Sequence, residues 1–161
     1  MANGNAYFDR RLSQPTITEH REPIIEVAKL NQFIHIALCR WCSITGYTSR
    51  YWLRGYCASF ADTLQQHLPS TAQLASVIAN DAQVHHIVVR FGEFAIDAQG
   101  ACAANALLDR LNRESQLCDS PLRAVALIPF RLKHTADMPS APESIRKILC
   151  RCLRIAKGCA S

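Results

Sequence analysis

The sequence lacks the long apolar runs and the leader that direct proteins into or across membranes. No apolar run in the 161 residues reaches the roughly 18 that a membrane-spanning helix needs. Residues 1–15 also lack the basic-then-apolar order of a secretory signal. We therefore expect no membrane span and synthesis as a cytoplasmic protein, with delivery into a target cell by a signal-less route as the alternative.

Repeats, low-complexity segments and a glycine-rich phosphate loop are absent as well. Nothing in the pattern therefore predicts a cofactor or a resident metal. The length suits one folded domain, and the 49% hydrophobic and 19% charged residues are typical of a globular chain. We predict a flexible N-terminal arm over residues 1–20 and a single α+β domain over residues 21–157.

Positive charge is modest, at +5, and it concentrates near the C-terminus. The final twenty residues contain Arg146, Lys147, Arg151, Arg154 and Lys157. Such a cluster is usually the solvated face of an amphipathic helix, although it can also contact phosphates or a partner protein. Contact with nucleic acid is thus a hypothesis that no motif supports.

Eight cysteines occur in a chain without a secretory signal, which favours reduced thiols over a disulfide framework. Two close pairs stand out, Cys39 with Cys42 and Cys150 with Cys152. A four-thiol zinc site built from both pairs is one alternative, and a redox pair at Cys39 and Cys42 is another. Neither spacing is typical enough to carry a prediction.

Hydrophobic periodicity predicts an α+β fold in which helices pack on a small antiparallel sheet. Pro23 suits a first helical turn, Gly46 ends that first helix, and Pro69 stops the second. The predicted helices are 23–42, 57–68, 103–112 and 143–156, and the predicted strands are 73–79, 85–90, 93–98 and 122–132.

Cys57 falls at the predicted start of the second helix, directly after Gly55-Tyr56. A thiol is a nucleophile only as thiolate, and both a helix N-terminus and a nearby imidazolium lower its pKa. The following hairpin contains His85, His86 and Asp97, which can supply a base and a carboxylate to orient it. Backbone amides near Cys57, Gln65 or Gln66 are candidates for an oxyanion hole.

Two hairpin registers are open, and they choose different histidines. If Phe91-Gly92 forms a two-residue loop, His86 lies across from Asp97. If Gly92 is the left-handed residue of a three-residue loop, His85 pairs with Asp97 instead. Cross-strand neighbours lie about 4.5–5.5 Å apart at Cβ, so either register brings an imidazole to the carboxylate.

The run from Gly55 to Leu64, followed by the run from His86 to Gly100, resembles the Cys-His-Asp core of three families. These are the papain-fold bacterial toxin domains, the transglutaminase-like proteins and the arylamine N-acetyltransferases; prophage and mobile-element proteins look similar. The resemblance covers residues 50–100 and implies a papain-like or transglutaminase-like core. It assigns Cys57 as nucleophile, His86 as general base and Asp97 as the orienting acid. The chain is far smaller than a whole acetyltransferase, so acetyl-coenzyme A chemistry is not implied.

The expected function is cysteine-dependent acyl transfer or hydrolysis at an amide in a protein or peptide substrate. Resolution by water gives a protease or protein-glutamine deamidase, and resolution by an amine gives a transglutaminase. The alternative is a non-catalytic binding or regulatory protein on the same fold that acts through its basic C-terminal helix. In that case Cys57 is a packed thiol and Asp97 caps the turn at Gln99-Gly100. Nothing in the sequence indicates an oligomeric state.

Overall fold

The computed structural model describes residues 27–53, 55–118, 120–131, 134 and 138–159. The arm predicted over residues 1–20, and the first six residues of the predicted domain, lie outside this range. Five helices and five strands are described. The helices are α1 (Val27–Thr45), α2 (Arg50–Leu53), α3 (Cys57–Gln65), α4 (Ala104–Leu117) and α5 (Glu143–Cys159), and the strands are β1 (Gln73–Ala79), β2 (Val84–Phe91), β3 (Phe94–Asp97), β4 (Gly100–Ala103) and β5 (Ala124–Pro129).

The five strands form one antiparallel sheet in the order β4-β3-β2-β1-β5. Alternating residues of the central strand β2 enter two different cores. Ile87 and Val89 pack with α1, α3 and α5, whereas Val88 packs with Leu107 of α4. The sheet is therefore covered by three helices on one face and by α4 on the other, and β2 is apolar on both sides because both are buried.

The predicted α+β architecture with an antiparallel sheet is confirmed, and several elements begin or end where the sequence placed them. α1 ends at Thr45, and Gly46 follows with a φ of +73°, the left-handed conformation typical of a helix terminus. The sequence did not predict α2 or β4. Both have four residues, too few for a helical or alternating pattern to be recognised.

Helix α1 is joined to the edge strand β4 by one side chain. Asn31 accepts a hydrogen bond from Ala101 N at 2.6 Å and donates one to Ala101 O at 3.2 Å, as a neighbouring strand would. A Cβ at Gly100, where φ is +115°, would lie 2.5 Å from Asn31 Oδ1. Glycine at position 100 thus permits the close approach that fixes the turn after Asp97.

Both predicted hairpin registers are wrong, because the loop between β2 and β3 is Gly92-Glu93. Phe91 pairs with Phe94, and the ladder ends at Val89 opposite Ile96. Gly92 has a φ of +56°, which glycine tolerates at the first central position of a two-residue hairpin loop. Continuing this register places Asp97 opposite Val88, and the diagonal neighbour His86 then shares a face with Asp97.

A bulge in β2 separates the two adjacent histidines. Pairing with β1 changes from His86 opposite Val77 to Val84 opposite Ile78, so His85 is the extra, unpaired residue. Bulges of this kind redirect side chains and are common beside functional sites. Here the bulge leaves His86 in the ladder and buried, while His85 is exposed.

Replacing Leu64 with alanine should lower the free energy of unfolding by about 2–5 kcal/mol. Leu64 is fully buried in α3, and the substitution leaves a cavity in the larger core. Leu117→Ala is the matched control, because Leu117 is 85% exposed and its loss should change stability by about 0.5 kcal/mol or less. Urea unfolding measures both, and equal effects would contradict the packing of α3.

Candidate active site

Cys57 is the first residue of α3, as the sequence predicted. Gly55, two residues earlier, has a φ of +111°, which allows the chain to turn into the helix. Tyr56, the N-cap residue of α3, makes no side-chain hydrogen bond to the first turn, so its N–H groups are not used by that side chain. Ala141 N donates to Ser59 Oγ at 3.0 Å, which packs the segment before α5 against this turn. Cys57 itself is 5% exposed.

His86 reaches this turn because β2 and β3 separate beyond their last pair. Burial raises the pKa of the Cys57 thiol, but the His86 ring and the backbone N–H groups of Ile87 and Ala58 lower it. Ile87 lies beyond the end of the β2–β3 ladder, so its amide is not needed by β3. The N-terminus of α3 therefore meets β2 where the sheet has opened.

Asp97 holds the other side of the His86 ring. Its Oδ2 accepts a hydrogen bond from His86 Nε2 at 3.0 Å, and its Oδ1 accepts one from Gln99 N at 2.8 Å. Asp97 and His86 are both buried, with side chains 2% and 6% exposed. Because Nε2 is engaged by the carboxylate, Nδ1 is the ring nitrogen left for the sulfur. Asp97 thus caps the Gln99 turn and orients the imidazole at once.

His85, the alternative base, is not part of this group. Its Nε2 lies 2.8 Å from Asp81 Oδ2 on the exposed turn before β2. The structure therefore brings Cys57, His86 and Asp97 together and separates His85 from them.

Burial and hydrogen bonding oppose each other at all three residues. Burial by itself raises the pKa of Cys57, but the hydrogen bond and charge of His86 lower it below that of an ordinary thiol. Burial lowers the pKa of His86, but its bonds to Asp97 and Cys57 raise it to about 9. Burial also raises the pKa of Asp97, but His86 and then Arg110 lower it. All three shifts favour a thiolate beside an imidazolium beside a carboxylate.

Arg110 is a functional candidate that the sequence reasoning missed. Its Nη2 donates to Asp97 Oδ2, the same oxygen that accepts from His86. A signal existed, because Arg110 lies three residues after Leu107 and therefore on the inward face of α4. An arginine on an apolar helix face usually has a buried acidic partner.

A half-open cavity of about 430 Å³ adjoins His86 and Asp97 on the α4 side of the sheet. Its walls combine apolar side chains, such as Leu53, Val77 and Leu111, with the exposed charges of Arg50 and Glu114. Cys57 does not line this cavity. Its volume falls within the range of small-molecule sites.

Gln65 and Gln66 are wrong as oxyanion-hole candidates. They lie at the opposite end of α3 from Cys57, about 12 Å along the helix axis. Gln65 Nε2 donates to Ala72 O at 2.9 Å, which anchors the turn before β1. The backbone amides near Cys57 remain the candidates.

The two cysteine pairs do not form one four-thiol site. Within the described ranges, no group of three or more His, Cys, Asp or Glu residues could hold a metal ion. Cys39 instead lies 3.5 Å from His35 Nε2, and Cys150 lies 3.4 Å from His67 Nε2. Cys39, Cys42, Cys150 and Cys152 are all free thiols.

The basic residues of α5 make contacts within the chain. Arg146 bonds Asp62 Oδ2 at 2.9 Å, Lys147 lies 3.7 Å from Glu143, and Lys157 donates to His67 O at 3.3 Å. A binding role for this helix stays a prediction.

Among the described helices, none is long and apolar enough to cross a membrane.

Comparison with protein-family models, with curated proteins and with solved structures found no match to this chain.

Asp97→Asn should lower the free energy of unfolding at neutral pH by about 3–5 kcal/mol, because it leaves buried cations without a carboxylate. Asp62→Asn is the control, since Asp62 is 49% exposed and its pair with Arg146 should contribute about 1 kcal/mol or less. The pKa of Asp97 is lowered in the folded state, so its stabilisation is present above about pH 4 and lost as pH falls further. Chemical unfolding across pH tests this, and equal losses in the two variants would contradict it.

The His86 ring should stay protonated until about pH 9, whereas an ordinary histidine titrates near 6.5. Ring ¹⁵N spectra recorded across this range measure the midpoint, and His86→Gln assigns the signal by its loss. Cys57→Ala should move the midpoint down, because it removes a group that raises the pKa of His86. An unchanged midpoint in Cys57→Ala would show that the sulfur and the ring do not interact.

Proposed function

We propose that this protein is a cysteine-dependent enzyme that carries out acyl transfer or hydrolysis at an amide, on a papain-like or transglutaminase-like core. The observation that carries the proposal is the buried hydrogen bond of 3.0 Å between His86 and Asp97, beside a cysteine at the start of α3 whose thiol pKa is lowered by His86. Each of these three groups can perform one step of such a reaction.

The Cys57 thiolate attacks the amide carbonyl carbon, and a carbon–sulfur bond forms as the carbonyl π electrons move to oxygen. His86, which starts protonated, then gives its proton to the leaving nitrogen, and the carbon–nitrogen bond breaks. An acyl-enzyme thioester remains. Neutral His86 next removes a proton from water or an amine, which attacks the thioester and releases the thiolate. Asp97 stays ionised and holds the ring throughout.

The helix start also offers a site for the negative oxygen that forms during attack. The backbone N–H of Ala58 helps to lower the pKa of the Cys57 thiol, and Tyr56, the residue before α3, makes no side-chain cap to this turn. A helix N-terminus carries partial positive charge, which stabilises an oxyanion placed there. Amides of this turn therefore replace the glutamine side chains in the proposed oxyanion hole.

A protein or peptide amide, including a glutamine side chain, is the proposed substrate class. The cavity beside His86 combines apolar walls with the exposed charged side chains of Arg50 and Glu114, and its volume of about 430 Å³ suits one side chain better than a long extended segment. Because Cys57 is 5% exposed, the substrate carbonyl must displace neighbouring atoms to reach the sulfur.

Iodoacetamide labelling across pH tests the proposal, with the exposed thiol of Cys118 as an internal reference. Between about pH 9 and pH 6 an ordinary thiol loses roughly 200-fold in thiolate fraction, whereas Cys57 should lose less, because its pKa is lowered by His86. Comparing each residue with itself removes the difference in exposure. Mass spectrometry of the labelled peptides measures both rates.

His86→Gln is the matched variant, and it should make Cys57 lose reactivity as steeply as an ordinary thiol. Parallel loss at Cys57 and Cys118 in the unmodified protein would contradict the enzymatic proposal. So would a Cys57 that reacts at no pH, because a substrate could not reach it either.

A further inference from the structure

Four charged groups meet at the proposed site, although a cysteine triad needs only three. Asp97 Oδ2 accepts from both His86 Nε2 and Arg110 Nη2, and these donors come from opposite elements, β2 and α4. Asp97 is 2% exposed and the Arg110 side chain is 19% exposed, so water solvates neither freely. In the reactive state the thiolate and carboxylate carry two negative charges, and the imidazolium and guanidinium carry two positive ones.

We propose that Arg110 is a positioning residue whose guanidinium supplies the second positive charge that lets the Cys57 thiolate exist beside an ionised Asp97. The inference rests on the proposed function and adds a residue outside the Cys-His-Asp group. Helix α4 would then support the reaction through Arg110, which acts on the charges of the site without touching the substrate.

Charge balance in a buried site is the physical reason. Without Arg110, the reactive state would hold one uncompensated negative charge, which is costly away from water. A proton relieves that cost, and the thiolate accepts it most readily because a thiol, with a pKa near 8.5, is a weaker acid than a carboxyl near 3.9. Removing Arg110 should therefore return Cys57 to the neutral thiol even though Asp97 and His86 are intact.

Other ionisable groups near this quartet do not replace Arg110. Cys102 on β4 faces both Asp97 and Arg110, but burial raises the pKa of its thiol, so it stays neutral. Arg50, His85 and Glu114 line the adjoining cavity, and all three are exposed, so solvent screens their charges. Glu114 is also engaged by Gln99 Nε2 at 3.0 Å.

A purely structural role for Arg110, as an anchor for α4, makes a different prediction. An anchor needs hydrogen bonds to Asp97, and a neutral glutamine can supply one. The proposed role needs charge, which lysine retains and glutamine does not. Arg110→Gln and Arg110→Lys therefore separate the two roles, and Arg110→Met removes both hydrogen bond and charge.

The experiment is the pH profile of Cys57 alkylation in the full chain. Arg110→Gln and Arg110→Met should shift the midpoint upward by about one pH unit, a roughly tenfold slower reaction on the acidic side. Arg110→Lys should stay within about half a unit of the unmodified protein. Arg113→Met, an exposed arginine of the same helix, should cause no shift. Circular dichroism verifies folding, and if Arg110→Met does not fold, the Gln and Lys variants carry the test.

The outcomes distinguish this inference from the function on which it rests. If Cys57 is not activated in the unmodified protein, the proposed function fails first. If it is activated and the Arg110→Gln profile superimposes on the unmodified one, only the role of Arg110 is overturned. An equal upward shift in Arg110→Lys and Arg110→Gln would also overturn it, because charge would then not be the cause.

Discussion

The buried carboxylate of Asp97 is the constraint on which the rest of the site depends. A charge removed from water must be matched by donors, and here the donors come from β2, from α4 and from the turn after β3. Satisfying Asp97 therefore fixes the ring of His86, the position of α4 and the exit of β3 together. A change at any one of these elements is felt at the other two.

Irregular strand pairing in the sheet shapes the site, in addition to the support that the regular strands give. The bulge at His85 and the early end of the β2–β3 ladder leave His86 buried and the Ile87 amide unpaired by β3. The first turn of α3 occupies this opening, with its own amides uncapped. The thiol of Cys57, the ring of His86 and the amide of Ile87 thus lie where the pairing of β2 with β3 has ended. Backbone N–H groups at such a position are not used by a neighbouring strand and can bind other groups.

Burial strengthens the charge interactions among Cys57, His86 and Asp97, and it also limits access to the sulfur of Cys57. Charge interactions are stronger away from water, so a buried imidazolium shifts the pKa of a neighbouring thiol more than an exposed one would. The same burial leaves Cys57 only 5% exposed. Of the three residues, His86 and Asp97 line the cavity of about 430 Å³, and Cys57 does not. Two basic side chains of α5, those of Arg146 and Lys157, bond Asp62 and His67 O outside the helix.

The sequence by itself determined the α+β class, the strand β1, the helix that begins at Cys57 and the hairpin that follows, because propensity and periodicity act over neighbouring residues. The order of residues along the chain also indicated Cys57, Asp97 and one of the two histidines, and the family resemblance favoured His86. The sequence did not determine the hairpin register, since Gly92 permits several loops and both predicted registers were wrong, and the register argument left His85 and His86 open. Only the tertiary structure decided that choice, through a bulge set by pairing with β1, and only it brought Arg110 to Asp97. Contacts between residues distant in sequence depend on how elements pack, and no local pattern contains that information.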